Sequence, residues 1–573
     1  MNLLFAASEV APFIKTGGLA DVAGSLPPAL AGSGHDVRVI LPLYEGIGQE
    51  WRNQMTFQKY FYVRLAWRSV YCGIFSLERD GVTYYFVDNE QYFKRGGLYG
   101  HYDDAERFAF FSRAVVEAPD QLGWHPDVIH CNDWQTALVP IYLLEERHQR
   151  PMLYNTKSVF TIHNIEYQGR YGQDLVDDLF GLDRTYLHEH MLAYHHDLNL
   201  MKGAIYAADY VTTVSPTYAE ELKYPFYAHG LEGVISDNSH KLRGILNGID
   251  TAAYNPASDH VIRASFTPDD LRGKAACKAA LQQQLGLWES PDIPVVACVS
   301  RLVGHKGFEL ITSGFHRMME CNIQFVLLGT GEWGYEQFFR DMQNQYPGRV
   351  SANIMYSGSL SSAIYAGADL YLMPSISEPC GLSQMIAMRY GTIPVVRETG
   401  GLRDSVFPYN KFTGEGRGFT FAHINTDDMI HVLRQAVDLY TFEKKAWTAM
   451  MVRDMETDFS WSRSAESYLE VYSWITGLPA HPQPAEPEPE PALSAETPGP
   501  ESPAAQEPET PVPAAEAPAP AEAAPAPGEE TPPPAEAAEI PAPKPKRPAR
   551  KPAEKKAPAP KASSAKRGTG RKS

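Results

Sequence analysis

Short apolar strands that alternate with helical segments restrict the fold of this chain more than any other feature. In the first half, apolar runs typical of buried strands end directly in polar residues. These runs cover residues 2–7, 36–41, 82–87, 127–131, 158–162 and 210–214. Apolar residues at helical spacing separate several of them, for example over 19–30 and 136–146. This alternation predicts an α/β fold with a doubly wound parallel sheet.

The same pattern starts again in the second half. A turn at 247–250 is followed by further strand-like runs at 294–299, 324–328, 369–373 and 393–396. We therefore predict two similar α/β domains that face each other across a cleft, with boundaries at 1–250 and 251–455. Residues 456–477 are predicted to form a terminal helix. Polar residues after the strands of such sheets are where ligands bind.

The composition changes abruptly after residue 478. Residues 479–540 contain 13 Glu and no Lys or Arg, whereas residues 541–573 contain 12 Lys or Arg and one Glu. Such a segment buries too little apolar surface to offset the entropy lost on ordering. We predict a disordered tail over 478–573, a Pro-rich spacer with a basic tip. A solubilising appendage and a docking arm for acidic partners or nucleic acid both remain open.

The net charge, the apolar runs and the cysteine spacing argue against several classes of protein. The formal net charge of −18 argues against nucleic acid or an anionic membrane as the main partner of the folded part. No apolar run approaches the roughly 18–20 residues that a membrane helix needs. Glu9 interrupts the first apolar run, which argues against a signal peptide. The six cysteines show neither C-x-x-C pairs nor metal-ligand spacing, so we expect a cytoplasmic protein with reduced thiols and no metal.

A glycine pair near the N-terminus is the first candidate binding site. Lys15 precedes Gly17 and Gly18 at the junction of the first strand and the first helix. Glycine allows the backbone to approach a ligand closely, and the N–H groups of a helix N-terminus attract anions. A phosphate is the predicted guest. The alternative is a tight turn beside a solvated lysine.

A second basic loop follows the first strand of the second half. Arg301 and Lys306 lie five residues apart around Gly304, so both can converge on one anion. Arginine offers two parallel hydrogen bonds and lysine a point charge, a combination that suits a diphosphate. Neither a P-loop nor a convincing G-x-G-x-x-G motif is present, which argues against an ATPase and a dehydrogenase.

Further candidates follow three other strands. Glu378 lies at a turn where the N–H groups of Cys380 and Gly381 can also face a ligand, an arrangement suited to sugar hydroxyls. A helix-capping carboxylate is the alternative for Glu378. Taken singly, Asp133 and His163 could be surface polar residues, and His163 could equally be a core histidine.

The ordered set of motifs is far more specific than any one of them. In sequence order the motifs are KTGGLAD (15–21), TIHN (161–164), VSPTY (214–218), NGID (247–250), VSRL (299–302), KG (306–307), GTG (329–331), EPCGL (378–382) and TGGL (399–402). From residue 1 to about 477 the chain closely resembles the bacterial glycogen synthases, the ADP-glucose-using family that includes starch synthases. The resemblance implies a GT-B fold in which the terminal helix returns to the acceptor-side N-terminal domain. It also implies retaining transfer of glucose from ADP-glucose to the 4-hydroxyl end of an α-1,4-glucan such as glycogen, without a required metal or other cofactor.

The resemblance also assigns roles on the nucleotide-sugar side. Arg301 and Lys306 would bind the diphosphate and stabilise charge on the departing nucleotide. Glu378, with the two amides that follow, would position the glucose. Tyr356 would stack on the adenine.

On the acceptor side, Lys15 and the two glycines after it would hold the donor across the cleft. The backbone carbonyl of His163 would lie near the anomeric carbon. Asp133 is implied to be important for activity, and Asn164 would help to hold the sugar.

Departures from the family pattern flank retained residues. They are Asn132, His305, Ile376-Ser377 and Ser357-Gly358. A sucrose or trehalose-phosphate type of GT-B enzyme is one alternative, but those relatives carry a second glutamate where this chain has Ile386. An inactive glucan-binding scaffold is the other, against which the joint presence of Lys15, Arg301, Lys306 and Glu378 argues.

Overall fold

Two large β-sheets organise the part of the chain that the computed structural model describes, residues 1–481. The strands are β1 (Asn2–Ala6), β2 (Asp36–Pro42), β3 (Thr56–Leu65), β4 (Arg68–Arg79), β5 (Val82–Asp88), β6 (Val128–Asn132), β7 (Lys157–Ile162), β8 (Arg170–Gly172), β9 (Ala193–Tyr194), β10 (Asp197–Asn199), β11 (Tyr210–Thr213), β12 (Leu242–Gly244), β13 (Val295–Val299), β14 (Gln324–Leu328), β15 (Val350–Asn353), β16 (Leu370–Met373), β17 (Ile393–Arg397) and β18 (Phe419–Phe421).

Helices connect most of these strands. They are α1 (Gly18–Gly32), α2 (Gln49–Arg52), α3 (Glu90–Phe93), α4 (Asp104–Leu122), α5 (Leu138–Glu146), α6 (Leu175–Asp178), α7 (Leu200–Ala207), α8 (Pro216–Glu221), α9 (Pro225–Ala228), α10 (Glu232–Asp237), α11 (Arg272–Gln284), α12 (Phe308–Met319), α13 (Trp333–Gln345), α14 (Gly358–Gly367), α15 (Ser383–Arg389), α16 (Gly400–Ser405), α17 (Thr426–Phe442), α18 (Lys444–Glu456) and α19 (Trp461–Thr476). Short 3₁₀ turns cover Trp134–Thr136, Arg147–Gln149, Arg184–Tyr186, Ser239–Lys241 and Gly304–Lys306.

The first sheet has the order β12-β11-β7-β6-β1-β2-β5-β4-β3, and the second has the order β15-β14-β13-β16-β17-β18. A small antiparallel sheet, β8-β10-β9, lies beside the first. We call residues 2–244 the N-lobe, residues 272–456 the C-lobe and residues 457–476 the return segment. The predicted α/β, GT-B-like fold with parallel sheets is confirmed. The domain boundaries at residues 250, 455 and 477 stay predictions.

The central strands are buried because helices cover both faces of each parallel sheet. In β1 and β6 nearly every side chain is buried, which explains why these strands read as continuous apolar runs. The edge formed by β3 and β4 differs, because these strands pair antiparallel with each other and β4 pairs antiparallel with β5. The sequence analysis did not predict these two strands.

The return segment ties the end of the described chain to the N-lobe. Helix α19 packs against α1. The Tyr472 hydroxyl lies 2.6 Å from Nδ1 of His130 in β6, and Ile249 N donates to Phe459 O at 2.8 Å. No helix within residues 1–481 is both long and apolar enough to span a membrane. The six cysteines, all in this part of the chain, are free thiols. The predicted disordered tail lies outside the described residues from position 482 onward.

Candidate active site

A cavity of about 640 Å³ opens between the carboxyl ends of the strands of the two sheets. Strand β1 leads towards Lys15, β13 towards Arg301 and β16 towards Glu378. Strand order reverses at β1 in the first sheet and at β13 in the second. Open α/β sheets bind ligands at such reversals, because neighbouring loops diverge there and leave a crevice. The cavity therefore lies where both sheets favour a ligand.

The predicted site residues divide into two groups. Those that line the cavity are Lys15, Arg301, Lys306, Tyr356, Glu378 and Gly381. Those that do not line it are Gly17, Gly18, Asp133, His163, Asn164 and Cys380. The first group brings cations from both lobes to one space, whereas most of the second group belongs to loops of the N-lobe.

Lys306 and Glu378 form the main ion pair of the C-lobe wall. Lys306 Nζ lies 2.8 Å from Oε1 and 2.7 Å from Oε2 of Glu378, although the residues are 72 positions apart. The Ser375 hydroxyl donates to Oε2 at 3.0 Å. The two charged side chains are only 18% and 8% exposed. Each charge is thus held in place beside the cavity.

The backbone behind this pair is fixed by close contacts between the two loops. Gly307 has φ +76°, and a Cβ there would lie 1.9 Å from the carbonyl oxygen of Pro374. Ile376 N donates to His305 O at 2.8 Å, and Arg397 Nη2 donates to Ile376 O at 2.6 Å. Glycine at position 307 is required both by its conformation and by this approach.

Two further cations reach the cavity from opposite sides. Lys15 Nζ lies 2.6 Å from Oδ1 of Asp21, which also lines the cavity. Desolvation alone would lower the pKa of Lys15, but Asp21 outweighs it and raises this pKa. Arg301 is exposed, and within residues 1–481 no carboxylate lies within 4.0 Å of its guanidinium. Arg301 is therefore available to an anionic ligand.

The loop before the glycine pair is held by a carboxylate of the protein itself. Glu9 Oε2 accepts hydrogen bonds from Thr16 N at 2.5 Å and from Thr16 Oγ1 at 2.8 Å. Glu9 is 3% exposed, and burial raises its pKa. The sequence analysis did not predict a structural role for Glu9. Glu9 reaches Thr16 only because residues 10–15 fold back in the structure.

Asp133 holds the loop after β7 through backbone hydrogen bonds. Its Oδ1 accepts from His163 N at 2.8 Å and from Asn164 N at 3.4 Å. Burial raises the pKa of Asp133 to about 7, although both hydrogen bonds act in the opposite direction. Asp133 also has φ +57°, which is uncommon outside glycine. The carboxylate thus fixes the peptide whose carbonyl belongs to His163.

Asn132, one of the departures from the family pattern, orients the ring of His163. Its Oδ1 lies 2.8 Å from His163 Nε2, and its Nδ2 donates to Ala6 O at 3.0 Å. Since Oδ1 can only accept, Nε2 of His163 carries the proton. Burial lowers the pKa of His163 to about 3, so the ring is neutral.

Tyr356 and the 380–381 turn complete the C-lobe wall. Tyr356 is 90% exposed and precedes α14, so its ring is free to stack on a ligand. Gly381 lines the cavity with φ +70°, whereas Cys380 is buried behind it. Among the residues described, no cluster of three or more His, Cys, Asp or Glu side chains could hold a metal ion.

Both lobes match models of known protein families. Residues 2–237 match the model of the starch synthase catalytic domain, and residues 287–446 match glycosyl transferases group 1. The chain is 48% identical over 476 residues to the glycogen synthase of Clostridium novyi (strain NT). That alignment covers 83% of this chain and 99% of the relative.

Solved structures show the same similarity. The catalytic domain of starch synthase IV from Arabidopsis thaliana, bound to ADP and acarbose, has a TM-score of 0.77 and 37% identity, over 83% of this chain and 99% of that domain. A sucrose-phosphate synthase from Thermosynechococcus elongatus has a TM-score of 0.53 and 16% identity, over 83% of this chain and 99% of that protein. The second similarity shows the fold alone.

Proposed function

The chain belongs to the glycogen and starch synthase family, glycosyltransferases that extend glucan chains, and we propose that its donor is ADP-glucose. In this proposal glucose passes to the 4-hydroxyl at the non-reducing end of an α-1,4-glucan such as glycogen, with retention at the anomeric carbon. The observation that carries the proposal is the convergence of Lys15, Arg301 and Lys306 with Glu378 on one cavity. The ADP held by the starch synthase IV domain supports the choice of nucleotide.

On the C-lobe side, the cations act on the diphosphate. Arg301, exposed and without a carboxylate partner among the described residues, would form two hydrogen bonds to phosphate oxygens. Lys306 would stabilise the negative charge that develops on the departing nucleotide, a charge that is greater in the transition state than in the bound donor. Glu378, whose position Lys306 and Ser375 fix, would accept hydrogen bonds from glucose hydroxyls beside the amides of Cys380 and Gly381. Tyr356 would stack on the adenine.

On the N-lobe side, Lys15 would reach the donor across the cleft, with Gly17 and Gly18 shaping its loop. The His163 carbonyl would lie near the anomeric carbon, and Asn164 would contact the sugar. Asp133 acts as a positioning residue in this scheme, because its carboxylate binds the N–H groups of His163 and Asn164. No cofactor or metal takes part in any of these contacts.

We also propose the domain limits 1–250 for the acceptor side, 251–455 for nucleotide-sugar binding and 456–477 for the returning helix. Six free cysteines are typical of a reducing compartment, which favours the cytoplasm.

Incubation with glycogen and radiolabelled ADP-glucose or UDP-glucose, side by side, tests this proposal. We expect label from ADP-glucose in a polymer from which β-amylase releases labelled maltose, since that enzyme cleaves α-1,4 linkages. If neither donor labels the polymer, the proposed reaction is contradicted. Labelling from UDP-glucose at an equal or higher rate would contradict only the assignment of the donor.

A further inference from the structure

Two short helices join the lobes beside the turn at residues 378–381, which begins with Glu378. Helix α8 (Pro216–Glu221) follows β11 in the N-lobe, and α16 (Gly400–Ser405) follows β17 in the C-lobe. The two helices pack directly against each other. Neither of them lines the cavity of about 640 Å³, which we call the donor cavity. Any effect of these helices on a donor bound there is therefore indirect.

Each helix binds the start of the other through one carboxylate. Glu221, the last residue of α8, accepts hydrogen bonds from Gly400 N at 3.1 Å and from Thr399 Oγ1 at 2.8 Å. Asp404, near the end of α16, accepts from Thr217 N at 2.8 Å and from Thr217 Oγ1 at 2.6 Å. The first N–H groups of a helix have no partner within it and favour a carboxylate. We call these contacts of Glu221 and Asp404 the reciprocal bridge.

The C-lobe end of the reciprocal bridge lies directly against the 378–381 turn. Gly401 N donates to the carbonyl oxygens of Glu378 and Pro379, each at 3.2 Å. Gly400 has φ +43°, and a Cβ there would lie 2.0 Å from the Glu378 carbonyl oxygen. Glycine allows this close approach of two backbone segments. The start of α16 and the turn are therefore in fixed contact.

The N-lobe also contacts the 378–381 turn directly. The hydroxyl of Ser215, which precedes α8, donates to Pro379 O at 2.7 Å. Ser215 follows β11, and β11 pairs with β7, whose carboxyl end leads to His163. The reciprocal bridge and this hydrogen bond therefore connect the turn of the C-lobe with the strands that carry the His163 loop.

We propose that Glu221 and Asp404 are positioning residues for glucosyl transfer, because they fix the 378–381 turn relative to the His163 loop. This rests on the proposed function, in which the turn holds the glucose and the His163 carbonyl lies near the anomeric carbon. A misplacement of reacting groups by about 1 Å can cost about 10²-fold in rate. Loss of the reciprocal bridge therefore slows the transfer step more than it weakens the binding of either substrate.

Steady-state kinetics of Glu221→Ala and Asp404→Ala test the proposal. We expect each variant to lower kcat by at least about tenfold, with little change in the KM for donor or glycogen. The affinity for ADP, measured by calorimetry, should not change, because Arg301, Lys306 and Tyr356 all belong to the C-lobe. Glu221→Gln should keep most of the activity, since a single oxygen of Glu221 accepts from both partners and an amide oxygen can replace it.

Asp209→Ala is the matched control for a loss of stability. Asp209 accepts hydrogen bonds from Ser158 N at 2.9 Å and from Ser158 Oγ at 3.0 Å, as Asp404 does from Thr217. It lies at the amino ends of β7 and β11, away from the donor cavity. We expect a lower melting temperature but a normal kcat when the assay is run below the melting transition. If the bridge had only a structural role, Glu221→Ala and Asp404→Ala would behave in the same way.

Two further variants make every outcome decisive. Thr217→Val removes only the hydroxyl contact of Asp404, so it tests the bridge even if the alanine variants fail to fold, and it should lower kcat at unchanged KM. Normal kcat in every folded variant of Glu221, Asp404 and Thr217 would overturn the positioning role. If Glu378→Ala lowers kcat in that case, the proposed function stands. If Glu378→Ala leaves kcat unchanged, the placement of the glucose is wrong and the positioning role is overturned with it.

Discussion

The cavity-lining carboxylate Glu378 of the C-lobe and two buried carboxylates of the N-lobe are held in opposite ways. In the C-lobe, both oxygens of Glu378 contact the ammonium group of Lys306, and the pair borders the cavity. In the N-lobe, Glu9 and Asp133 have no cation partner among the described residues, and backbone N–H groups bind them instead. Burial raises the pKa of both N-lobe carboxyl groups.

This difference indicates two separate roles for the charged side chains in and around the cavity. A lysine held beside a cavity can act on the charge of a ligand, whereas a carboxylate that binds backbone N–H groups fixes the shape of a loop. We infer that Lys306 stabilises the charge of the leaving group, whereas Asp133 and Glu9 fix the geometry of N-lobe loops. The predictions below test this division, from the largest expected effect to the smallest.

Lys306→Ala should give the largest loss. We expect kcat to fall by about 10²–10³, as when one preorganised charge-stabilising group is removed from a transition state. Affinity for glucan should change little, because Lys306 lies in the C-lobe wall. Steady-state kinetics with varied ADP-glucose and varied glycogen separate the two effects. Lys411→Ala, on an exposed C-lobe loop, is the control, and near-normal turnover of Lys306→Ala would remove Lys306 from its role.

Asp133→Asn should lower kcat by about tenfold, because a neutral amide oxygen accepts weaker hydrogen bonds than a carboxylate does. Wild-type activity should fall as the pH drops through about 7, where the Asp133 carboxyl group becomes protonated. The variant should lack this acidic decline. Profiles of kcat/KM against pH for both proteins measure the effect, and identical profiles would contradict it.

Although Asp133→Asn should lower activity, its stability relative to the wild type should increase as the pH rises. The folded-state pKa of Asp133 lies above its ordinary value of 3.8, so the folded protein keeps a proton that the unfolded chain has lost. This carboxyl group therefore makes the free energy of unfolding decrease as pH rises from about 4 to 7. Asparagine removes that dependence and tolerates positive φ. The melting temperature of the variant, relative to wild type, should be higher at pH 8 than at pH 5.

Lys15→Ala should have a smaller effect, about a tenfold rise in the KM for the donor. Lys15 is 43% exposed and already paired with Asp21, so solvent screens part of its charge. Lys15→Arg should retain most of the affinity because the charge remains. Unchanged donor use by Lys15→Ala would mean that the glycine loop does not contact the nucleotide sugar.

Truncation after residue 478 should have the smallest effect. The composition of the tail predicts that it forms no core, so we expect glucosyl transfer and the melting temperature to stay within experimental error. Differential scanning calorimetry and the glycogen assay measure both quantities. A large drop in melting temperature would contradict this expectation, whereas loss of association with another macromolecule alone would favour a docking arm.

Much of the fold could be predicted because buried parallel strands are short, apolar and followed by polar residues. Strand β14 agrees with its predicted bounds, 324–328, and the other nine predicted strands agree within one residue at each end. Among the described residues, eight strands were not predicted, namely β3, β4, β8, β9, β10, β12, β15 and β18. Strands β3 and β4 were missed because their exposed aromatic and charged residues form no continuous apolar run. These two strands lie at a sheet edge with one face in solvent, so their residues do not need to be uniformly apolar.

The sequence could predict that Arg301, Lys306 and Glu378 lie near one another, but it could not predict the contacts between them. The positions of Arg301 and Lys306 after one strand and of Glu378 after another placed them at the same sheet edge. Sequence could not show that Lys306 and Glu378 pair directly, since strand order brings residues 72 positions apart together. The contact of Asp133 with a backbone N–H is equally invisible, because any residue type could supply that donor.

Titration calorimetry with ADP tests the division of tasks most directly. ADP carries the charge of the departing nucleotide, so its affinity reports on the C-lobe wall. We predict that Lys306→Ala weakens ADP binding by about tenfold, as expected for one charged hydrogen bond, while Asp133→Asn leaves it within about twofold. Equal losses in the two variants, or a loss in Asp133→Asn alone, would contradict the account.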